Sequence, residues 1–500
     1  MVLAADAAYL AVKARDARFD GRLFVGVTST GVYCRPVCRV RTPRRENCRF
    51  FDTRAQAEAA AFRPCMKCRP EIAPGLSHTD SSGTLADAAA RLIEHAVHGA
   101  QALSLPALAA RLGVTDRHLR RIFQARHGVA PHDYLTTQRL LLAKQLLTDT
   151  AQPITQVALA SGFASLRRFN AAFAERYRFN PTQLRHEGER PRTETPLRLA
   201  YRPPYDVAAV LGFFARREVR GVEQVEGLSL RRTLGWMHRG QFVAGWLESR
   251  FVPERHEVHV TASASLAPVL GAVLQRVRQG LDLDADPSMI DPVMATLPVP
   301  VQPGARLPGG MDGFETAVRV ILGQQVTVQA ARTLVQRLVV CLGQPIATPF
   351  PALTHLFPQA QAVAAADPEL IGKLGIVRQR VAALQALAKA VTRGEIELHR
   401  ASPLQATLEA LRALPGIGEW TAQVIAMRAL AWPDAWPASD IGLLKALGAH
   451  APKAPNVPTA PPAGANRSRD IPRITALAQA WRPWRAYAVM QLWQHLETQK

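Results

Sequence analysis

The sequence predicts a multidomain protein of the α+β class. Its 500 residues are enough for three or four domains, and a hydrophobic content of 48% is enough to fill their cores. Five of the six cysteines lie within residues 1–76. Segments of strand and helix character mix in residues 197–285, whereas apolar residues recur at helical spacing in much of 84–186 and 286–497. These observations together predict several small units with different secondary structure.

The chain carries a large excess of positive charge. It has 61 Lys and Arg against 40 Asp and Glu, a formal net charge of +21. Solubility alone needs far less charge, so a polyanion is the expected partner, with nucleic acid as the default. No apolar run approaches membrane-spanning length, and the charged start MVLAADAAYLAVKARD is unlike a secretory signal. We therefore expect a cytoplasmic protein with no membrane partner.

Residues 1–76 contain two close pairs of cysteines. Cys34 and Cys38 are separated by three residues, and Cys65 and Cys68 by two. Four thiolates at this spacing suit one tetrahedral Zn²⁺, so the pattern predicts a zinc site. The alternative is two disulfides, but nothing in the sequence indicates an oxidising compartment. Cys48 lies outside both pairs, and we interpret it as a free thiol.

The sequence around these cysteines resembles that of a known protein family. It reads FDGRLFVGVTSTGVYCRPVCRVRTPRRENCRFF and then EAAAFRPCMKCRPE, and it is similar to the N-terminal domain of Ada-type methylation-response proteins. The resemblance implies that Cys34 is both a zinc ligand and the irreversible acceptor of a methyl group from methylphosphotriesters in DNA. Zinc would keep the thiol deprotonated without a general base. A basic surround for the phosphates is expected from Arg35, Arg39, Arg41, Arg44, Arg45 and Arg49.

A repeated pattern follows what we interpret as a linker at 77–83. In both copies a short apolar helix and a glycine, Gly113 or Gly162, precede a capped helix, LRRIFQARHG or LRRFNAAFAERY. One copy could be an ordinary helical hairpin. The pair resembles the all-α DNA-binding domain of AraC-type regulators, with two helix-turn-helix units, and implies promoter DNA and RNA polymerase as partners. The presumed recognition helices carry Arg117, Arg120, Arg121, Arg167 and Arg168.

After a second linker at 187–196, the text Leu199-Ala200-Tyr201 and Arg202-Pro203-Pro204-Tyr205-Asp206 resembles the start of AlkA-type enzymes. The resemblance implies a small β-sheet (TBP-like) domain packed on a helical core. It also aligns Phe213 with an aromatic residue that reaches the base pocket. The alternative is that Phe213 is plain core.

The C-terminal part contains two helical patterns joined by Leu414-Pro415-Gly416-Ile417-Gly418. The two glycines leave backbone N–H groups open to a phosphate. Asp440 follows 22 residues after Gly418. Alone it could be a helix cap. Together these features resemble the helix-hairpin-helix DNA glycosylases, and the resemblance implies DNA binding at Leu414, Gly416 and Gly418 and catalysis by Asp440. Trp420 stands where lyase members carry lysine, so a monofunctional enzyme is expected.

A second match is GFETAVRVILGQQ, residues 313–325. The resemblance places Gln325 where a side chain fills the gap left by an extruded base, and it makes Trp420 and Trp493 pocket aromatics that could instead be core. Val424 stands where AlkA-type pockets carry tyrosine, which predicts a more open pocket. By resemblance only, carbonyls of hairpin 414–418 hold a monovalent cation. The Pro- and Ala-rich residues 450–470 predict an exposed insertion.

The resemblances cover nearly the whole chain and imply a fusion. The predicted domains are a small α/β Ada-type zinc methyl-acceptor domain at 1–76, an AraC-type domain at 84–186, an AlkA-type N-terminal β-sheet domain at 197–285, and an all-α helix-hairpin-helix glycosylase domain at 286–497. The implied activities are excision of 3-methyladenine and 7-methylguanine and methylation-dependent activation of transcription. Two alternatives stay open: a regulator whose glycosylase half only anchors it, and a glycosylase with a non-specific helix-turn-helix tether. Because no Pro-Cys-His-Arg motif occurs, we expect no repair of O6-alkylguanine.

Overall fold

The computed structural model describes most of the chain: residues 5–16, 19–20, 23–51, 54–70, 78–99, 103–150, 152–187, 196–238, 240–447 and 467–498. These residues form two compact units, one made of 1–96 with 102–138 and the other of 97–101 with 139–500. The predicted linker at 187–196 and the predicted insertion at 450–470 lie outside the described residues, apart from 187, 196 and 467–470. Within the described part of the chain, no helix is both long and apolar enough to cross a bilayer.

The first unit begins with a small α/β fold. Helices α1 (Ala5–Ala14) and α2 (Arg54–Ala59) accompany a four-stranded sheet of β1 (Phe24–Val27), β2 (Val32–Cys34), β3 (Cys48–Phe51) and β4 (Arg63–Pro64), in the order β3-β1-β2-β4. Strands β1 and β2 pair antiparallel with Val25 opposite Cys34, and β2 pairs parallel with β4. The two pairings bring residues next to both cysteine pairs onto neighbouring strands.

A long helix, α3 (His78–His98), follows. The predicted linker at 77–83 is therefore wrong for residues 78–83, which form the first turns of this helix. Their Ser, Thr, Asp and Gly side chains look like a loop in sequence. The helix continues into an apolar face with buried Ala86, Ala89 and Ile93, and packing of such a face stabilises residues whose intrinsic helix propensity is low.

Both predicted helix-turn-helix pairs are present: α4 (Leu105–Arg111) with α5 (Asp116–His127), and α7 (Ile154–Ala160) with α8 (Leu166–Tyr177). Helix α6 (Pro131–Asp149) joins them and α9 (Pro181–Glu187) follows. The Thr115 and Ser165 hydroxyls accept from the third backbone N–H of α5 and α8, so both capped starts that the sequence predicts are formed. The division between the two compact units falls inside α6.

The second unit continues with an antiparallel five-stranded sheet. It consists of β5 (Leu197–Ala200), β6 (Glu223–Glu226), β7 (Ser229–His238), β8 (Gln241–Val252) and β9 (Glu257–Ala262), in the order β5-β9-β8-β7-β6. Helix α10 (Val207–Arg217) lies between β5 and β6 in sequence. Alternate residues of β5 are buried, as expected for a sheet with one face on the core. The predicted small β-sheet region is therefore confirmed.

The rest of the second unit is helical. Its helices are α11 (Leu270–Gly280), α12 (Pro287–Met294), α13 (Gly313–Leu322), α14 (Val328–Leu342), α15 (Ala360–Ala365), α16 (Pro368–Gly372), α17 (Arg378–Thr392), α18 (Leu404–Ala413), α19 (Glu419–Arg428), α20 (Ile441–Leu447), α21 (Arg467–Leu477) and α22 (Arg485–Thr498). They build two apolar clusters, one around α13, α17 and α19 and one around α12, α20 and α22. The predicted fold class, multidomain α+β, is confirmed.

Candidate active site and metal centre

The glycine hairpin between α18 and α19 has the backbone that its sequence predicts. Gly416 has φ +74, a left-handed conformation that favours glycine, and a Cβ there would lie 3.2 Å from the Ala383 Cβ. At Gly418 a Cβ would meet nothing within 4 Å, so this side of the hairpin is open. Ile417 points inward and is buried. The turn is thus anchored on one side and leaves backbone exposed on the other.

Asp440 lies just before α20 and is 9% exposed. Its Oδ1 accepts hydrogen bonds from the backbone N–H of Leu443 at 3.1 Å and from the indole N–H of Trp493 at 3.0 Å. Its Oδ2 accepts from the indole N–H of Trp420 at 2.9 Å. The helix-cap interpretation is therefore correct for one oxygen, but it leaves out two long-range donors. Three N–H groups fix the orientation of the carboxylate.

Asp440, Trp420 and Trp493 share the wall of one cavity of about 370 Å³, a volume within the usual range of small-ligand sites, about 300–1,000 Å³. Its other lining residues come from α10, α13, α14, α19, α20 and α22 and from the segments after α10 and α13. They are Arg217, Val219, Arg319, Val320, Gly323, Val326, Val328, Ala331, Arg332, Val335, Val424, Arg428, Gly442, Leu496 and Glu497. Apolar and arginine side chains therefore surround a single aspartate and a single glutamate.

The arginines of the cavity differ in their partners. Arg319 pairs with Glu223 and with Glu315, each at 2.6 Å, and these carboxylates raise its pKa against the effect of burial. Burial lowers the pKa of Arg217 to about 10 and that of Arg428 to about 9. The guanidinium groups of Arg217, Arg319 and Arg428 remain protonated at neutral pH. The cavity that holds the Asp440 carboxylate therefore also has positive charge in its wall.

Phe213 is buried and is not among the residues that line this cavity. The guanidinium carbons of Arg217 and Arg428 lie 3.9 and 4.8 Å from its ring centroid. The ring therefore packs against two arginines of the cavity wall without lining the cavity itself. Of the two interpretations of Phe213, the core residue agrees with this burial.

Gln325 is exposed on the turn between α13 and α14 and has φ +54, a left-handed conformation that is uncommon for residues other than glycine. The preceding residue fixes this turn. The Gln324 side-chain amide donates to the Gly416 carbonyl and to the Thr421 hydroxyl, both at 2.9 Å. Arg380 also donates to the Gln324 carbonyl. The turn that carries Gln325 is thus tied to the glycine hairpin.

The four paired cysteines form one compact cluster. The sulfur atoms of Cys34, Cys38, Cys65 and Cys68 all lie within 4.8 Å of one another, and all four residues are buried. A tetrahedral Zn²⁺ with bonds of about 2.3 Å separates its sulfurs by about 3.8 Å, so the cluster fits this ion. Hydrogen bonds with Cys38 and Cys68 raise the pKa of Cys34, and the hydrogen bond with Cys34 lowers the pKa of Cys38.

Two other predictions in the first unit have clear outcomes. Cys48 is outside the cluster, and its thiol contacts the Arg44 carbonyl at 3.2 Å. Burial raises the pKa of the Cys48 thiol. Arg35 was expected to face phosphates, and this is wrong. Its side chain is 1% exposed and forms an ion pair with Asp20. A buried guanidinium needs an acidic partner, and Asp20, which precedes β1 in the sequence, supplies one.

The five arginines of the two predicted recognition helices are all exposed. On α5, Arg120 pairs with Asp116 at 2.8 Å and Arg121 contacts His118 at 3.0 Å. Among the described residues, the side chains of Arg117, Arg167 and Arg168 have no hydrogen bond or ion pair. Exposed cations on a short helix are available to a polyanion, and the pairs with Asp116 and His118 cost little to exchange in water.

Sequence reasoning missed three residues of the glycosylase-type site: Arg428, Gln324 and Gly442. A Cβ on Gly442 would lie 2.9 Å from the Asp440 Oδ1 and 3.1 Å from the Trp493 Cδ1, so only glycine allows this approach. Neighbours distant in sequence decide all three. Arg428 and Gln324 lie in or next to segments whose apolar residues recur at helical spacing. This pattern does not show which residues their side chains contact.

Four family models match the chain. The metal binding domain of Ada matches residues 7–71, a helix-turn-helix domain 108–187, the AlkA N-terminal domain 196–312, and the helix-hairpin-helix superfamily of base excision DNA repair proteins 318–458. A Mycobacterium tuberculosis protein named "probable bifunctional transcriptional activator/DNA repair enzyme AlkA" is 36% identical over 504 residues, covering 98% of this chain and 96% of that protein. The chain belongs to this family of bifunctional AlkA proteins.

Two Escherichia coli proteins are each similar to a different part of this bifunctional AlkA family member. DNA-3-methyladenine glycosylase 2 is 33% identical over 298 residues, covering 59% of this chain and 95% of that protein. The bifunctional transcriptional activator/DNA repair enzyme Ada is 33% identical over 184 residues, covering 37% of this chain and 50% of Ada. The chain therefore combines a glycosylase-type region with an Ada-type zinc and AraC-type helix-turn-helix region.

Proposed function

We propose that this protein is a monofunctional DNA glycosylase that excises N-alkylated purines and also accepts methyl groups from DNA phosphotriesters at Cys34. The observation that carries the first activity is the Asp440 carboxylate, held by three N–H donors in the wall of the 370 Å³ cavity. A fixed carboxylate in a partly dry site can stabilise developing positive charge without reorganising. The cavity offers room for a flipped base.

The reaction needs little more than this. An N-alkylated purine carries a positive ring, so its bond to C1′ breaks with the electron pair going to the base, which leaves neutral. Positive charge develops on the sugar, and Asp440 faces it. A water oxygen then bonds to C1′ and loses its proton, with Asp440 as the nearest base. Trp420 and Trp493 would flank the base while their N–H groups hold the carboxylate.

Strand cleavage is not part of this proposal. A lyase needs an amine that attacks C1′, and the described residues that line the cavity include no lysine. Trp420 occupies the first turn of α19, where its indole is engaged with Asp440. Base release should therefore leave an abasic site that breaks only on treatment with alkali.

Single-turnover assays test the glycosylase proposal. Duplexes with one 3-methyladenine, 7-methylguanine or hypoxanthine should lose the base, and strands should break only after alkali. A borohydride-trapped adduct would contradict the monofunctional assignment. Absence of release from all three duplexes, with tight DNA binding retained, would favour the alternative in which the glycosylase half only anchors a regulator.

The second activity rests on the cysteine cluster. The four residues would hold Zn²⁺, which supplies a stabilised thiolate when bound. In the transfer, the Cys34 sulfur bonds to the methyl carbon while the carbon–oxygen bond of the phosphotriester breaks, and the electron pair stays on the phosphate as a diester anion. Cys34, Cys38, Cys65 and Cys68 are similarly buried, so the choice of Cys34 as acceptor rests on the Ada resemblance.

Methylation would also change the charge of the site. Four thiolates and Zn²⁺ sum to about −2, and one thioether brings the sum to about −1. Less repulsion of phosphates should tighten binding to promoter DNA by about tenfold or more at low salt, with the gain shrinking as salt screens it. Titration of methylated and unmethylated protein against its own promoter measures this. Protection without sequence preference would support the non-specific tether instead.

Two further partners belong to the proposal. Activation of transcription implies contact with RNA polymerase, which reconstituted transcription from the protected promoter can test.

A monovalent cation at hairpin 414–418 has limited free ligands, because the Gly416 carbonyl accepts from Gln324 and the Leu414 carbonyl from the Ile417 N–H. Each carbonyl keeps a second lone pair. If a cation binds there, replacing K⁺ by tetramethylammonium should weaken DNA binding.

A further inference from the structure

Arg428 is an arginine in the cavity wall without an anionic partner. Among the described residues its guanidinium has no ion pair and no side-chain hydrogen bond, and its buried Nε has no acceptor. The Phe213 ring, which carries no formal charge, has its centroid 4.8 Å from the guanidinium carbon, and Glu223 and Glu315 act on Arg428 without forming an ion pair with it. Arg319, by contrast, pairs with two glutamates. Arg428 is only partly buried and its terminal nitrogens are not enclosed, so a ligand in the cavity that supplies an acceptor can reach them.

The position of Arg428 on its helix gives it a definite place relative to Asp440. Trp420, Val424 and Arg428 are spaced by four residues along α19 and all line the cavity. Trp420 donates to Asp440 at one end of this row, and Arg428 lies two turns away, about 12 Å along the axis. Between them Val424 is a small side chain. A flat base could therefore extend from the Asp440 end over Val424 toward the guanidinium.

We propose that Arg428 is a specificity-determining residue that contacts the edge of the flipped purine farthest from the sugar and favours a carbonyl over an amino group at position 6. This inference rests on the proposed glycosylase function, in which the sugar lies at Asp440. A purine attached to that sugar points its six-membered ring away from the carboxylate. Among bases that leave equally well, those with a 6-oxo group, as in 7-methylguanine and hypoxanthine, are then favoured.

The chemistry of the guanidinium gives the preference its sign. It carries only N–H donors, so a 6-oxo group can accept a charge-assisted hydrogen bond, whereas a 6-amino group presents its own hydrogens. Neutral bases gain a second advantage. When the bond from C1′ to N9 of hypoxanthine breaks, the electron pair leaves with the base, and the anion must be stabilised until it takes up a proton. A guanidinium at O6 would stabilise that charge.

The charge environment of Arg428 agrees with this geometry. Burial, followed by the positive charges of Arg217 and Arg319, lowers the pKa of Arg428 to about 9, and the negative charges of Glu223 and Glu315 oppose this only in part. The group stays protonated at neutral pH, and among the described residues it has no hydrogen-bond acceptor. A base carbonyl provides one.

The test compares excision of two bases by one variant. In Arg428→Gln the single-turnover rate for hypoxanthine should fall about 10- to 100-fold, as expected for loss of a hydrogen bond from a charged donor. The rate for 7-methylguanine should fall less, and that for 3-methyladenine should stay within about threefold of wild type. Arg428→Lys, which keeps a cation, should recover part of the hypoxanthine rate. Arg393→Gln removes the same charge from an exposed position and serves as the control.

Ratios, rather than absolute rates, decide the outcome. If all three rates fall by the same factor, or if none changes, Arg428 does not read position 6 and the inference is wrong. Thermal unfolding of each variant shows whether it folds, and Arg428→Met, which can pack on Phe213, replaces a Gln variant that does not. Binding of free hypoxanthine and adenine, measured by calorimetry, needs no catalysis. Wild-type protein should prefer hypoxanthine, and the variant should not.

These measurements also separate this inference from the proposed function. Wild-type protein that releases no base contradicts the glycosylase proposal, and equal binding of both free bases then contradicts the role of Arg428 as well. Wild-type protein that releases 3-methyladenine faster than hypoxanthine, with a ratio that Arg428→Gln leaves unchanged, contradicts the role of Arg428 alone.

Discussion

The cysteine cluster and the Asp440 pocket both place negative charge out of water, but they stabilise it by different means. Four sulfurs within 4.8 Å of one another require a cation, since like charges at that distance repel strongly in a buried site. Asp440 has one carboxylate and three N–H donors, which the fold itself supplies. A metal-held nucleophile suits a reaction that consumes it once. A carboxylate held by fixed dipoles is unchanged after each turnover.

The largest effect in this comparison is expected from removing the proposed methyl acceptor. Cys34→Ser should abolish methyl transfer completely, because a serine hydroxyl is not ionised by Zn²⁺ as a thiol is, and it should weaken zinc binding. Peptide mass mapping after exposure to methylphosphotriester DNA measures the transfer. Cys48→Ser, which changes a buried cysteine outside the cluster, is the matched control and should keep full transfer.

The same Cys34→Ser variant should still release 3-methyladenine at near wild-type rate, because Asp440 and its donors are built from other parts of the chain. S-methylation found on Cys38, Cys48, Cys65 or Cys68 of wild-type protein, with Cys34 unmodified, would refute the assignment of the acceptor.

The next effect is expected at Asp440. Asp440→Asn should slow single-turnover excision by about 10²- to 10³-fold, the usual result of losing about 3–4 kcal/mol of electrostatic stabilisation, while DNA affinity changes little. The amide also disturbs the donor arrangement. Its oxygen can accept from Leu443 and Trp493, but its NH₂ then meets the Trp420 N–H. Asp367→Asn, an exposed cap of α16, is the control. A rate within threefold of wild type would rule out the catalytic role.

Local sequence was sufficient for the parts of these sites that depend on neighbours in the chain. Gly416, the caps Thr115 and Ser165, and the cysteine spacing all act within a few residues, and each has the predicted geometry. Trp420 and Trp493 were predicted as pocket aromatics, not as N–H donors to Asp440. They come from positions 20 and 53 residues away, and their orientation is set by packing.

The same limit explains the errors. Arg35 follows a zinc-type cysteine in basic text, which favours a surface role, and only the fold brings Asp20 against it. Residues 78–83 have the composition of a loop, and they are helical only because the rest of α3 packs through its buried face. Arg428 could not be recognised, because nothing in its local sequence shows that a guanidinium lacks a partner.

A smaller effect should follow from disturbing the Asp440 donors without removing any. Gly442→Ala places a methyl group 2.9 Å from the Asp440 Oδ1 and 3.1 Å from the Trp493 ring, so one of them must move. We expect excision to slow by about tenfold, which corresponds to about 1.4 kcal/mol. Gly372→Ala is the matched control, because a Cβ there meets nothing within 4 Å. Equal rates for the two variants would show that the exact placement of the carboxylate is unimportant.

The smallest effect on excision is expected at Asp282, where the measured quantity is stability; this carboxylate has donors that do not balance its burial. Its Oδ2 accepts from the Leu307 N–H and the Tyr487 hydroxyl, both at 2.9 Å, yet burial raises its pKa to about 6. An unfolded aspartate titrates near 3.9, so the folded state binds the extra proton between pH 4 and 6. The free energy of unfolding should therefore decrease, by about 3 kcal/mol, as pH rises through this window. Asp282→Asn keeps an oxygen acceptor and should remove the decrease.

The melting temperature of Asp282→Asn relative to wild type should be higher at pH 7.5 than at pH 4.5, whereas Asp284→Asn, an exposed neighbour, should show no such change. A pH-independent difference would mean that Asp282 is ionised throughout, and that two donors on one oxygen balance burial as well as the three donors of Asp440 do.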